Sequence, residues 1–159
     1  VIIGFLNHAT NAEFVQWYYA LKEYTGNKTQ VYNYVENNKL QGPFYQQVFI
    51  PLFTEAAKDK GFIGIVPDER NKPDKFSRIE GNLEPLNRLG NLILNEAEKD
   101  NPHMKRLEEQ FLLVTPKLTA PADGPDCIEG GSWIINNKLL LLAGESLITG
   151  IRHINKKRY

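Results

Sequence analysis

Two carboxylates, Asp123 and Asp126, open an apolar run that continues Cys127-Ile128-Glu129-Gly130-Gly131-Ser132-Trp133-Ile134-Ile135. A third, Glu36, closes the apolar run Val31-Tyr32-Asn33-Tyr34-Val35. Acids at a helix start can cap the free N–H groups of the first turn. They can equally hold a hard divalent cation, which takes oxygen ligands. A carboxylate at a strand end and another at a helix start, far apart in sequence, are one way to build such a site. Glu36 and Asp123 are therefore candidate metal ligands, with Asp126 one turn along. The plain alternatives are a solvated strand end for Glu36 and first-turn capping, worth about 1 kcal/mol, for the two aspartates.

Other side chains carry less chemistry. Lys72, Lys75 and Arg78 surround a predicted helix start and form a local basic patch able to grip phosphate. Asn38 and Gln41 read as capping groups beside Glu36, with substrate contact as the alternative. His8, His103 and His153 have no metal-ligand spacing. Cys127 reads as a small packing hydrophobe and forms no hydrolase constellation. Phe14, Trp17, Tyr18 and Trp133 read as core. Lys156, Lys157 and Arg158 end a tail whose basic character suits either solvent or a partner.

The positioning elements follow from periodicity. Residues 1–7, 30–36, 62–66 and 92–94 read as strands. Thr10-Asn11-Ala12-Glu13 is a capping-box pattern ahead of a helix that Gly26 ends. Gln41 to Lys60 reads as a long helix with a kink at Pro51 and a cap at Gly61. Helices are predicted from about Asp74 to Leu89, from Pro102 to Leu113 and from Asp123 to Asn137, with residues 138–159 left as an irregular tail. The near-strict alternation predicts an α/β domain with helices on both faces of a mixed or parallel sheet.

Bulk properties bound the function. The chain has 159 residues with 19 Lys and Arg against 19 Asp and Glu, so zero net charge gives no global attraction to nucleic acid. One cysteine excludes an internal disulfide, and no apolar run reaches the length of a membrane span. The chain starts at Val1, its only methionine is Met104, and no G-x-x-x-x-G-K-[ST] loop is present. It therefore reads as part of a larger parent with something upstream.

Three motifs occur in one order. The first is Val35-Glu36-Asn37-Asn38 with Gln41. The second is Lys72-Pro73-Asp74-Lys75-Phe76-Ser77-Arg78-Ile79-Glu80-Gly81-Asn82-Leu83-Glu84-Pro85-Leu86 followed by Gly90-Asn91-Leu92-Ile93-Leu94-Asn95-Glu96. The third is Asp123-Gly124-Pro125-Asp126 ahead of an apolar helix. Together, over residues 1–137, they resemble the nuclease domain of phage terminase large subunits. The resemblance implies an RNase H-like fold, here without its first strand, and cleavage of concatemeric viral DNA during packaging. It implies two Mg²⁺ or Mn²⁺ ions held by Glu36, Asp123 and Asp126, with Lys72, Lys75 and Arg78 on the DNA. Two ions about 3.5–4 Å apart activate water and stabilise the leaving oxygen. Implied partners are double-stranded DNA, an upstream ATPase domain, the small terminase subunit and the portal protein, in the cytoplasm of a bacterial host. Two departures stand out. Ala122 occupies a position where the family shows an acid, and the family's first catalytic Asp lies upstream of Val1. Both leave open a non-catalytic docking domain; another RNase H-like nuclease, a resolvase or transposase core, is the second alternative.

Overall fold

The computed structural model describes residues 1–6, 9–26, 28–36, 42–68 and 70–139. His8, Asn38, Gln41, His153 and the basic end of the tail lie outside these residues. The described chain is mixed α/β, with five helices of three turns or more and a parallel sheet of two strands. No helix among the described residues is long and apolar enough to cross a membrane. The chain divides into two compact units: Asn7–Lys72, and Val1–Leu6 with Pro73–Tyr159.

In the Asn7–Lys72 unit, α1 (Asn11–Tyr24) begins with the capping box expected from sequence. The Glu13 N–H donates to Thr10 Oγ1, and the Thr10 N–H donates to the Glu13 carboxylate at 2.7 Å. The helix buries Val15, Tyr18 and Tyr19, spaced three and four residues apart, against Ile63. Phe14 and Tyr18 meet edge to face at 5.3 Å, and Tyr18 meets Phe53 in the same way at 5.4 Å. Both tyrosine hydroxyls are satisfied: Tyr18 donates to the Tyr34 carbonyl at 2.9 Å and Tyr19 to the Gly61 carbonyl at 3.1 Å. Burial pushes the Tyr19 hydroxyl above its ordinary pKa.

The long helix predicted over 41–60 is interrupted. A short α2 (Gly42–Phe44) runs into a π-helical turn over Tyr45–Phe49, and α3 (Ile50–Lys60) follows. Pro51 has no N–H to return to the carbonyl four residues back, and the Ile50 N–H reaches back to Tyr45. The wide turn thus absorbs the defect just ahead of the proline. Gly61, at φ 79°, ends the helix in a conformation that side chains disfavour.

The sheet pairs β1 (Asn33–Glu36) with β2 (Ile65–Asp68) in parallel register, Asn33 opposite Ile65 and Glu36 opposite Asp68. Both strands start three residues later than the predicted 30–36 and 62–66, and β2 runs two residues beyond its predicted end, through Pro67. A proline is tolerated where its missing N–H has no partner strand to serve.

The second unit is built on α4 (Lys75–Arg88), α5 (Pro102–Leu112) and α6 (Asp123–Ile134), the last leading into a π-helical turn over Ile135–Leu139. Asp74 caps α4 by accepting from the Ser77 N–H at 2.9 Å. Ile79, Leu83 and Ala122 form the buried core, with Leu86, Phe111, Val114, Leu118 and Ile128 around it. Residues 1–6 and 92–95 belong to no assigned helix or strand. The Val1 amine donates to the Ile93 carbonyl at 2.6 Å, and the Asn95 N–H returns to the Val1 carbonyl at 3.0 Å. This is one rung of parallel pairing where the sequence predicts two full strands. The sheet among the described residues is therefore smaller than the central sheet that the alternation predicts.

Candidate functional site

The candidate residues fall into two groups, one in each unit. Within Asn7–Lys72, Glu36 and Asp68 end the two strands and are register partners. Directly opposed residues of a parallel pair project from the same face, so the two carboxylates stand side by side at the C-terminal edge. Lys72 bridges them, its Nζ lying 3.1 Å from Glu36 Oε1 and 3.8 Å from Asp68 Oδ2. Asp68 is buried and takes a second cation, with Arg70 Nε at 3.1 Å from Oδ2. Glu36 is half exposed, so its oxygens are open to solvent on one side.

Sequence reasoning missed Asp68. The predicted strand ends at Val66, two residues short of it. The signal that finds it is the repetition of one pattern: an acid closing an apolar strand, as Glu36 closes its own.

In the second unit, α4 and α6 meet through charges. Lys75 Nζ lies 2.9 Å from Asp123 Oδ1 and 3.5 Å from Asp126 Oδ2. Arg78 forms an ion pair with Asp126 and a second with Glu129, at 2.8 Å. Asn82 donates to the other Glu129 oxygen at 2.9 Å. Glu129 is 1% exposed, and the Asp123 side chain is 79% exposed. Burial works against the Arg78 charge, but hydrogen bonds and attraction from Asp126 and Glu129 outweigh it and hold the guanidinium above its ordinary pKa. Glu129 is the second residue that the sequence did not single out. Its position within an apolar run of a helix is the signal that it needs a buried partner.

The aspartates do not cap α6. Ala122, at the N-cap, supplies no side-chain hydrogen bond. The Gly124 N–H is met instead by Gln110 Oε1 from α5 at 2.8 Å. Asp123 is thereby left on the surface with only Lys75 as its ion-pair partner among the described residues. Ala122 itself packs in the core with Ile79 and Leu83, so an acid at this position would bury a charge. Cys127, expected to pack, is exposed: the inward residues of α6 are Gly124, Pro125, Glu129, Gly130 and Ile134.

The three basic residues predicted to grip phosphate are all engaged in ion pairs: Lys72 with Glu36 and Asp68, Lys75 with Asp123 and Asp126, and Arg78 with Asp126 and Glu129. Arg78 is buried. The acids offer the oxygen chemistry that Mg²⁺ or Mn²⁺ takes. In number they fall short: among the described residues no three His, Cys, Asp or Glu side chains gather as a metal-holding group. Glu36 and Asp123 belong to different units. No family model, curated protein or solved structure matches the chain.

Proposed function

We propose that this chain is the RNase H-like nuclease domain of a phage terminase large subunit, a Mg²⁺- or Mn²⁺-dependent endonuclease that cuts concatemeric viral DNA during packaging. The reading rests on the three ordered motifs of the sequence. The observation that carries it furthest is the pairing of Glu36 with Asp68 at the ends of adjacent parallel strands, one of them open to solvent. By the resemblance, Glu36, Asp123 and Asp126 are its metal ligands; Asp68 stands beside Glu36 in the Asn7–Lys72 unit. Bound ions would supply an activated water and stabilise the departing oxygen. Lys72, Lys75 and Arg78 are its DNA-contacting residues on this reading, Arg78 being the one whose side chain is also held by Asp126 and Glu129. Its partners on this reading are double-stranded DNA, an ATPase domain, the small terminase subunit and the portal protein, in the cytoplasm of a bacterial host.

The test is Mn²⁺ titration calorimetry on the chain beside Glu36→Ala and Asp123→Ala, with DNA cleavage measured for the same substitutions in the complete protein that supplies the upstream Asp. Loss of Mn²⁺ heat and of cleavage in both variants is expected. Full cleavage by both variants would sink the assignment. A second reading, a non-catalytic docking domain, is favoured by one specific observation: each candidate acid is already neutralised by a lysine or arginine of its own unit. It predicts DNA or protein binding with no Mn²⁺ heat.

A further inference from the structure

The second unit carries a groove of about 670 Å³, lined by α4, α5 and the chain that follows each. Both helices pack on α6, and the groove lies along their other faces. Its floor is apolar, formed by Leu83, Leu94, Phe111, Leu112 and Val114. Leu112 is 80% exposed there, a large apolar side chain left in water. The charged side chains that line it are all acidic: Glu80 and Glu84 from α4 and Glu108 from α5. Only Glu84 has an ion-pair partner among the described residues, Arg88 on its own helix. Neither Lys75 nor Arg78, and neither Asp123 nor Asp126, lines the groove, so it is independent of the nuclease reading.

Length and volume together select an occupant. α4 lines the groove through Phe76, Glu80, Leu83 and Asn87, spaced four, three and four residues apart. That is one face of three turns, about 16 Å long at 1.5 Å per residue. A cavity of roughly 150 Å³ takes one benzene-sized group, so the groove takes about four. A partner helix turns about four large side chains to one face over three turns, at i, i+3 or i+4, i+7 and i+11. An extended strand of the same length rises about 3.3 Å per residue and turns only two or three side chains to that face. The groove therefore matches the apolar stripe of a helix, the recognition mode in which an amphipathic helix lies in an apolar channel.

Charge narrows the chemistry further. Glu80 and Glu84 stand four residues apart on α4, a spacing at which like charges repel. Cations laid beside them would offset that repulsion and meet Glu108 on α5. The same carboxylates repel nucleic-acid phosphates, which makes the occupant a protein segment. We propose that this groove is a docking site for a basic amphipathic helix of a partner protein, its apolar stripe on the floor and its lysines or arginines against Glu80, Glu84 and Glu108.

The test selects from a displayed library of random peptides, about 16 residues or four turns long, on the full chain. Enriched peptides are then measured by fluorescence anisotropy. They should carry apolar residues at helical spacing and an excess of Lys and Arg between them. Leu112→Gln should weaken their binding about tenfold or more, the value of burying a leucine. Glu80→Gln/Glu108→Gln should weaken it about twofold to thirtyfold, the range for two exposed ion pairs. All three side chains are exposed, so the fold holds in these variants. Glu23→Gln/Glu109→Gln removes the same charge from acids that do not line the groove and should leave affinity unchanged. Enrichment of acidic or aperiodic peptides, or affinity indifferent to Leu112→Gln, would overturn the proposal. An equal loss in the two glutamine pairs would overturn it too, since net charge alone would then explain the binding. Self-association of the chain that Leu112→Gln abolishes would replace the partner helix with a second copy.

Discussion

Replacing Arg78 by methionine should cost the second unit about 3–5 kcal/mol, the loss expected when one partner of a buried ion pair is removed and the other stays charged. The structure puts the cost at the upper part of the range for two reasons. Glu129 is 1% exposed, and the change removes its ion pair with Arg78 at 2.8 Å while leaving its charge in place. Asp126 also loses a contact, though Lys75 at 3.5 Å stays beside it. Arg78 brings a small handicap of its own, because its Nε is buried without a hydrogen-bond partner among the described residues. For a domain of this size, 3 kcal/mol lowers the melting temperature by roughly 12 °C or more.

The double variant Arg78→Met/Glu129→Met removes both charges and keeps their volume. Replacing a whole buried pair is often neutral, so the double variant should recover most of the loss. Urea unfolding followed by Trp133 fluorescence, in a Trp17→Phe background, reads α6 directly. If the single variant lies within about 1 kcal/mol of its parent, near the median of an exposed pair, the buried-pair argument fails. A double variant no more stable than the single one would refute it as well.

Gly124→Ala should destabilise by about 1–3 kcal/mol, because an added Cβ would lie 2.5 Å from Leu107 Cδ1 and 3.0 Å from both Gln110 Oε1 and Leu6 Cδ1. Thermal melts check it, and an unchanged midpoint would mean that the α5–α6 approach is looser than these distances. Glu13 and Asp74 are held below the usual carboxylate range, chiefly by hydrogen bonds from the Thr10 and Ser77 backbone N–H groups. A lowered folded pKa gives stability that is complete above the unfolded pKa and is lost as pH falls through the folded one. Melting midpoints should therefore drop between about pH 5 and pH 2, and less steeply in Glu13→Gln/Asp74→Asn; equal slopes would contradict the assignment. Lys72→Gln should raise Mn²⁺ affinity on the nuclease reading, since its ammonium occupies the space between Glu36 and Asp68. Weaker Mn²⁺ binding in that variant would count against a cation site there.

What was legible in the sequence was local. The Thr10–Glu13 box, the helix start near Asp74, and the glycine stops at Gly26, Gly61 and Gly90 each depend on residues within a few positions, and each stands in the structure. Helix faces were legible in their period but less so in their centre. α1 buries Val15 and Tyr19 along with Tyr18, whereas Trp17 is only partly buried. Strands were less legible because a strand is defined by its partner. Residues 1–6 and 92–94 are apolar, but one rung of pairing is all that the described structure gives them. The charge network was not legible at all. Glu129 is inside because Arg78, 51 positions earlier, is inside, and no local pattern announces that partnership.

The same network changes how the basic patch must be understood. In sequence, Lys72, Lys75 and Arg78 look like three cations available to phosphate. In the structure they neutralise Glu36, Asp68, Asp123, Asp126 and Glu129. A cation already paired releases fewer counterions when it meets DNA, so on the nuclease reading the salt dependence of binding should be shallow. The three also differ. Lys72 and Lys75 each hold one well-exposed carboxylate, Glu36 and Asp123, and can exchange that carboxylate for a phosphate at small cost. Arg78 cannot, because leaving Glu129 would strand a buried charge. Substituting Lys72 or Lys75 should therefore alter DNA affinity while the fold holds. Substituting Arg78 should alter the fold first, and any loss of DNA binding would follow the loss of α6.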